Sequence, residues 1–409
     1  MNVTRRTVTL GGLAASAAAA PLRAGRAQAK PALKIGCLTD MSGPYKDLAG
    51  PGAVAATRQA IAEFGVAAKG FTVEVLTADH LNKPDVGTTI ARQWFDRDGV
   101  DVIVEVANSG VALAVAGVAR EKNKVYLNSG AATSDLTGKS CNANTIHWVY
   151  DTFMLARSTG GAMVKAGGDS WYFITADYAF GHALQRDTGD FVTGAGGKVL
   201  GSVAYPFPGT SDFSSYLIQA QASGAKVLGI ANAGADTINT IKQAKEFGIK
   251  MRLAGLLMFL TDVHSLGLDV AQGIALTDSF YWDMNDRTRA FADRFTAKVP
   301  GVRPTMVQAG VYSSSLHYLK TAAAMGVAEA KQDGAATVAR MKAMPTDDDC
   351  FGKGSIRADG RCIHPSYLWE VKKPSESKGP WDYYKLLETT PADEAFRSLD
   401  KGGCPLVKV

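Results

Sequence analysis

Beyond residue 29 the chain has no long uninterrupted apolar run, so no membrane-spanning helix is expected in that part. Cysteine is scarce, with five in 409 residues and no C-x-x-C pair. No two of the six histidines stand four apart, so a zinc site is not expected. A G-x-S-x-G elbow is missing, and no Ser or Cys is placed against a His as a nucleophile would be. Gly138-Lys139-Ser140 has the end of a phosphate loop, but the glycine required five positions earlier is Thr133. Gly194-Ala195-Gly196-Gly197 precedes a strand instead of following one, which removes the dinucleotide fingerprint. Asp347-Asp348-Asp349 lacks the alternation and glycine of a calcium loop and reads as a solvated turn. These absences leave no cofactor, metal or catalytic residue to name, and they weigh against a secreted α/β enzyme.

Charge of one sign is also missing. The net charge is +5, and four of the positive charges are Arg5, Arg6, Arg23 and Arg26, in a leader without acids. The remainder stands near neutrality, which gives no bias toward nucleic acid or an anionic membrane. Residues 1–29 combine a basic start, an apolar run and the small-x-small site Ala27-Gln28-Ala29, and so read as an export signal cleaved near Ala29. Arg5-Arg6 with Val8 resembles a twin-arginine signal; an ordinary secretory signal is the alternative. No cysteine ends the leader, so no lipid anchor is expected.

What is present centres on residues 100–135. Val102, Ile103, Val104 and Val106 form an apolar run, as in a parallel strand buried on both faces. It ends in Asn108-Ser109-Gly110. Val125-Tyr126-Leu127 follows and ends in Asn128, Ser129, Gly130, Ala132 and Thr133. Two neighbouring strands therefore deliver small polar residues to one sheet edge, where open α/β sheets hold their ligands and helix N-termini favour anions. Such turns also arise simply as helix caps.

Around this centre the pattern repeats. Strands are expected at Leu33–Leu38, Phe71–Leu76, 102–106 and 125–127, then, after an apolar crossover at Thr145–Tyr150, at Ser170–Thr175, Lys198–Ala204, Lys226–Ile230 and Leu253–Leu257. Gly273–Tyr281 reads as a second crossover, Thr305–Met325 as an amphipathic, Ser-rich helix, and Tyr367–Val371 with Trp381–Leu386 as a hairpin. The length suits two domains. The expected fold is α/β with two lobes, each a parallel sheet flanked by helices, joined by three crossovers. Lobe one would hold 30–149 and 281–345, and lobe two 150–280 and 346–409. Cys350 and Cys362 flank a predicted hairpin turning at Ala358-Asp359-Gly360 and are expected to be bonded. Cys141 and Cys404 could pair across the fold, and Cys37 should be buried and free.

This layout, with LTDMSGPY after the first strand, the NSG turn, AATSDLTGKSC and DYAFG, resembles the branched-chain amino-acid (Leu/Ile/Val) type of periplasmic solute-binding protein that serves ABC importers. The resemblance covers roughly Lys30 to Leu387. It implies a type I binding-protein fold: a monomer in the periplasm that closes over a small ligand and hands it to an inner-membrane permease, without cofactor or chemistry. A sensor of the same fold is the alternative function. In the family, residues matching Tyr45, Asn108, Ser109, Ala131, Ala132 and Thr133 contact the ligand from the first lobe, and those matching Tyr178, Phe180, Asn232 and Ala233 from the second. One departure is visible. Members that bind α-amino acids usually place an acid after the fourth strand of lobe two, where this chain reads Met258-Phe259-Leu260-Thr261 with Asp262 displaced. A buried cation without a carboxylate is costly, and Phe180, Phe259, Tyr281 and Trp282 supply apolar and aromatic neighbours, so a carboxylate with an apolar or aromatic body, or a small amide, is expected. Asp177 or Asp278 is the remaining candidate counter-ion for an amino acid.

Overall fold

Two sheets form in succession along the chain, the first all parallel and the second parallel with an antiparallel margin, and their edges face each other. The structure, a computed structural model, describes Met1 and residues 30–408; the expected export signal otherwise lies outside the described residues. The first sheet comprises β1 (Ala32–Thr39), β2 (Thr72–Asp79), β3 (Val102–Glu105), β4 (Val125–Asn128) and β5 (Thr145–His147), in the order β2-β1-β3-β4-β5. All its pairings are parallel. Every residue of β3 and β4 is buried, which is why both read as unbroken apolar runs.

The second sheet begins with β6 (Ser170–Ala176), β7 (Lys198–Tyr205), β8 (Val227–Ala231), β9 (Arg252–Gly255) and β10 (Ala275–Asp278). A small antiparallel sheet follows, with β11 (Thr346–Asp348), β12 (Gly352–Ile356) and β13 (Cys362–Ile363). The chain then returns as β14 (Ser366–Val371) and β15 (Tyr384–Thr390), completing the order β15-β14-β10-β9-β8-β6-β7. β14 pairs antiparallel with both β10 and β15. Between β10 and β11, helices Asp286–Thr296 and Met306–Met325 pack on the first sheet's helix Gly50–Phe64. The chain thus passes between the sheets three times: after β5, after β10, and through the small sheet before β14.

Several expectations need correction. Met306–Met325 is not amphipathic: fifteen of its residues are buried, including Ser313, Ser314 and Ser315, because it packs against the Gly50–Phe64 helix, β3 and the helices Val327–Gln332 and Gly334–Ala343. Asp348 is not solvated. It is buried, and it accepts from Ser313 Oγ (2.6 Å) and from the backbone N–H groups of Cys350 and Phe351. Cys350 and Cys362 are unbonded. The hairpin register sets Cys362 opposite Ile356, while Cys350 precedes β12 altogether, so the bond cannot close across that turn. Cys141 and Cys404 are joined instead, with Cα atoms 5.5 Å apart; this spacing suits a disulfide. Cys37 is buried and free.

The first crossing is gripped from one side. Buried Arg361 donates to the carbonyls of Val149 and Tyr150 and lies 3.5 Å from the Asp151 carboxylate. His364 Nε2 meets the Val149 carbonyl at 3.0 Å. Trp148 Nε1 donates to Ser313 Oγ at 2.7 Å. The crossover's backbone polar groups, which burial would otherwise leave unpaired, are thereby satisfied.

Candidate functional site

Each strand end of the first sheet is fixed before it meets the second. After β1, the Asp40 carboxylate accepts from the N–H groups of Ser42 (3.3 Å), Gly43 (2.6 Å) and Tyr45 (2.9 Å) and from Asn82 Nδ2 (2.7 Å). That turn holds Tyr45 out toward the facing sheet. After β3, the Asn108 side chain accepts from the N–H groups of Gly110 (2.9 Å) and Val111 (3.1 Å), capping helix Ser109–Glu121. After β4, Asn128 closes its own turn on the N–H and carbonyl of Ala131. Ser109 Oγ accepts from Thr133 N–H at 3.2 Å, tying the two turns together.

The second sheet presents larger and more apolar groups. Tyr178 and Phe180 follow β6, Ala233 follows β8, and Leu257 and Phe259 follow β9. Tyr178 stacks on Phe207, with centroids 4.4 Å apart, and Phe207 also stacks on Tyr45 at 5.5 Å. Asp262 folds back to accept from Phe259 N–H at 2.9 Å.

The two edges touch. Tyr45 Oη lies 2.5 Å from Tyr178 Oη, Ala235 N–H donates to Pro44 O at 3.1 Å, and Ser134 Oγ donates to Asp187 at 2.8 Å. Gly234 has φ +61°, and a Cβ there would stand 2.4 Å from Pro44 O. Only glycine allows this approach. The arrangement is a closed clamshell.

Between the edges lies a narrow cavity of about 10 Å³, walled by Tyr45, Leu48, Ala107, Gly130 and Ala132 from the first sheet and Tyr178, Phe180, Ala233, Leu257 and Phe259 from the second. Tyr150, on the first crossing, completes the wall and donates to Gly130 O at 2.5 Å. The cavity holds about one water molecule, far below the several hundred Å³ usual for drug-sized ligands, so the lobes must part for a ligand to enter; no charged side chain lines it.

Of the ten residues expected to bind ligand, Tyr45, Ala132, Tyr178, Phe180 and Ala233 are in the wall. Asn108, Ser109, Ala131, Thr133 and Asn232 stand behind it, with polar groups already engaged. Asn232 accepts from Thr237 Oγ1 (2.7 Å) and donates to Thr240 Oγ1 (3.2 Å). Thr133 Oγ1 accepts from Asp135 N–H. Neither suggested counter-ion, Asp177 or Asp278, is in the wall. Asp177 is exposed and sits 2.8 Å from His182, whereas Asp278 is buried and accepts from Phe280 N–H at 3.0 Å. Phe259, expected beside the ligand, is in the wall, whereas Tyr281 and Trp282, expected with it, are not. Sequence reasoning missed Leu48, Ala107, Gly130, Tyr150 and Leu257; the last three sit in stretches it had already marked as strand ends or crossover, and that was the available signal.

Carboxyls surround the cavity without entering it. Burial pushes Glu105 up to about 8, Asp278 to about 8, Asp262 to about 7 and Asp236 to about 6. Desolvation is the leading cause in each. Asp236 is bonded to Tyr205 Oη at 2.7 Å. Burial likewise raises the phenols of Tyr45 and Tyr150 well above the ordinary value, so both remain neutral hydrogen-bonding groups.

The chain matches the periplasmic binding protein family over residues 32–379. It is similar to the crystal structure of a periplasmic binding protein from Burkholderia mallei: 50% identity, TM-score 0.89, covering 92% of this chain and 99% of that one. It is also similar to a branched-chain amino acid ABC transporter periplasmic ligand-binding protein from Burkholderia xenovorans LB400, at 41% identity and TM-score 0.79, covering 91% and 99%. Among curated proteins it is 26% identical over 251 residues to Leu/Ile/Val-binding protein homolog 4 of Brucella abortus, a match spanning 58% of this chain and 59% of that protein. Each of these is named for binding and none for catalysis.

Proposed function

The chain belongs to the periplasmic binding protein family, and from that premise we propose that it captures one small organic ligand between its two sheet edges and delivers it to an ABC importer. Residues 1–29 would direct export, and the mature monomer would work in the periplasm. The observation that carries this reading is the cavity itself: strand ends of both sheets and one crossing supply its wall, so a ligand there touches both lobes only when they are together.

Closure follows from differential contact. A ligand docked on the first edge meets the small turns around Ala107, Gly130 and Ala132. The aromatic and aliphatic surface of Tyr178, Phe180, Leu257 and Phe259 is added only in the closed state. A ligand shifts an open–closed equilibrium by its difference in affinity for the two states, and burying one such apolar side chain is worth about 1.5–3 kcal/mol. The wall favours a compact ligand with an apolar or aromatic body and one polar end, as in an amino acid, a small carboxylate or an amide. The crossings at Trp148–Asp151 and near Phe280 are the bending points.

A thermal-shift panel of amino acids, carboxylates and amides tests this. At least one compound should raise the melting temperature in a concentration-dependent way and be recovered chemically unchanged. A panel with no stabilising compound, or the formation of a product, would contradict the reading.

A further inference from the structure

The second sheet ends at β15, but the chain does not stay with it. Residues 391–404 leave that edge and finish against the first lobe, by a passage separate from the three described above. Its near end is held by lobe two: Glu394 meets Arg157 at 2.7 Å, in a helical turn packed on β9, β10 and β14. Its far end is held by lobe one. Arg397 Nη2 donates to Ser134 O at 3.1 Å, and Cys404 is bonded to Cys141, both cysteines being buried. The turn that receives them, 134–141, belongs to the first lobe, since Leu136 packs in one core cluster with Ile103, Val111 and Tyr126. The fit is close. A Cβ on Gly138 would stand 2.7 Å from Arg397 Nη2 and 2.9 Å from Gly402 O.

Between Glu394 and Arg397 stand only Ala395 and Phe396, and both are buried. Phe396 lies edge-on to His364, with ring centroids 5.2 Å apart, and the Arg361 guanidinium sits 4.5 Å from its ring. These are the two side chains that grip the carbonyls of the first crossing. The passage therefore runs alongside the hinge, and it is short: the three steps from Glu394 to Arg397 reach about 11 Å at full extension. Little length is left to give when the lobes part. The Arg397–Ser134 contact is a single, partly exposed hydrogen bond, of a kind that exchanges readily with water. The disulfide removes that freedom and keeps the tail on lobe one whatever the hinge does.

We propose that residues 394–404 form a fourth strap across the hinge, closed covalently at Cys141–Cys404, which limits how far the lobes open. This goes beyond capture of a ligand and concerns the range of motion of the unliganded protein. Three crossings allow the lobes both to bend and to twist; a fourth attachment beside them leaves the bending and resists twist and wide opening. Fewer open conformations then compete with the closed one, so closure loses less conformational entropy. Slackening the strap widens the open ensemble, leaves the closed state as it is, and so weakens ligand binding.

The test uses the full mature protein without ligand. Nitroxides attached to ketone-bearing side chains at exposed Thr89 of lobe one and Gln219 of lobe two report the interlobe distance by double electron–electron resonance. Two variants break the strap in different ways. Cys404→Ser frees its far end. Insertion of three glycines between Phe396 and Arg397 keeps the disulfide and both anchors but slackens the span. Each should lengthen the mean distance by several ångströms and broaden its distribution, the insertion doing so with Cys141 and Cys404 still bonded by mass spectrometry. Where Cys404→Ser does not fold, the insertion decides. An unchanged distribution in either folded variant overturns the strap; widening in Cys404→Ser alone makes the disulfide a staple of the fold and not a limit on its motion. None of these results bears on ligand capture, which the thermal-shift panel decides separately.

Discussion

The two walls of the cavity are built on opposite principles. The first-sheet wall is made of small residues whose polar neighbours are spent on one another: Asp40 on three backbone N–H groups, Asn108 on its helix, Asn128 on its turn, and Ser109 on Thr133. The second-sheet wall is made of Phe, Tyr and Leu, held largely by stacking and apolar packing. The first is therefore a rigid seat, set before any ligand arrives, and the second is a surface whose worth is realised on contact. Pre-organisation on one side and differential burial on the other is how a hinge protein makes closure depend on its ligand.

The comparison can be broken most severely where the walls touch. Gly234→Ala places a methyl group 2.4 Å from Pro44 O, so the lobes cannot come together. Affinity should fall by about 100-fold or more in calorimetry while the fold stays intact, since losing closure forfeits the contacts of a whole wall. Next is the apolar wall itself. Phe259→Ala should cost about 1.5–3 kcal/mol of binding, roughly 10- to 100-fold, with little change at the first wall. Ser109→Ala should act differently, leaving Thr133 N–H buried without its acceptor. About 1–3 kcal/mol of folding stability should be lost in denaturant titration, with a smaller effect on affinity than Phe259→Ala.

The smallest expected effect is on pH dependence. Glu105, Asp262 and Asp278 have folded values near 8, 7 and 8, raised above their ordinary range. Each therefore binds more protons folded than unfolded, so its stabilisation is present at low pH and is lost as pH rises through the folded value. Buried His80 and His364, both held near 4, work in the opposite sense below about pH 6.5. The unliganded protein should thus melt several degrees lower at about pH 9 than at about pH 6, and Glu105→Gln should flatten that fall. An unchanged slope in the variant would show that Glu105 does not titrate in this range.

Much of this architecture could be read before any coordinates. Apolar runs ending in Ser, Asn and Gly located the strands that supply the walls, because a parallel strand buried on both faces tolerates little else. Side-chain direction was not legible. Asn108 has the composition of a ligand contact and the geometry of a helix cap, and Asn232 is spent on the side chains of Thr237 and Thr240; sequence does not separate these uses. The Cys350–Cys362 pairing failed because closeness in sequence says nothing of hairpin register, whereas Cys141 and Cys404 meet across a separation of 263 residues. Glu105 was hidden inside V-I-V-E-V, a run that hydrophobic pattern alone makes a strand. Its full burial and the positive φ angles at Glu105 and Val106 are visible only in three dimensions.

Capture depends above all on closure over a small molecule, and small-angle X-ray scattering of the mature protein with and without a stabilising ligand tests that directly. The radius of gyration should fall on ligand addition, and should not fall in Gly234→Ala. An identical radius with and without saturating ligand, for a protein that starts open, would contradict it.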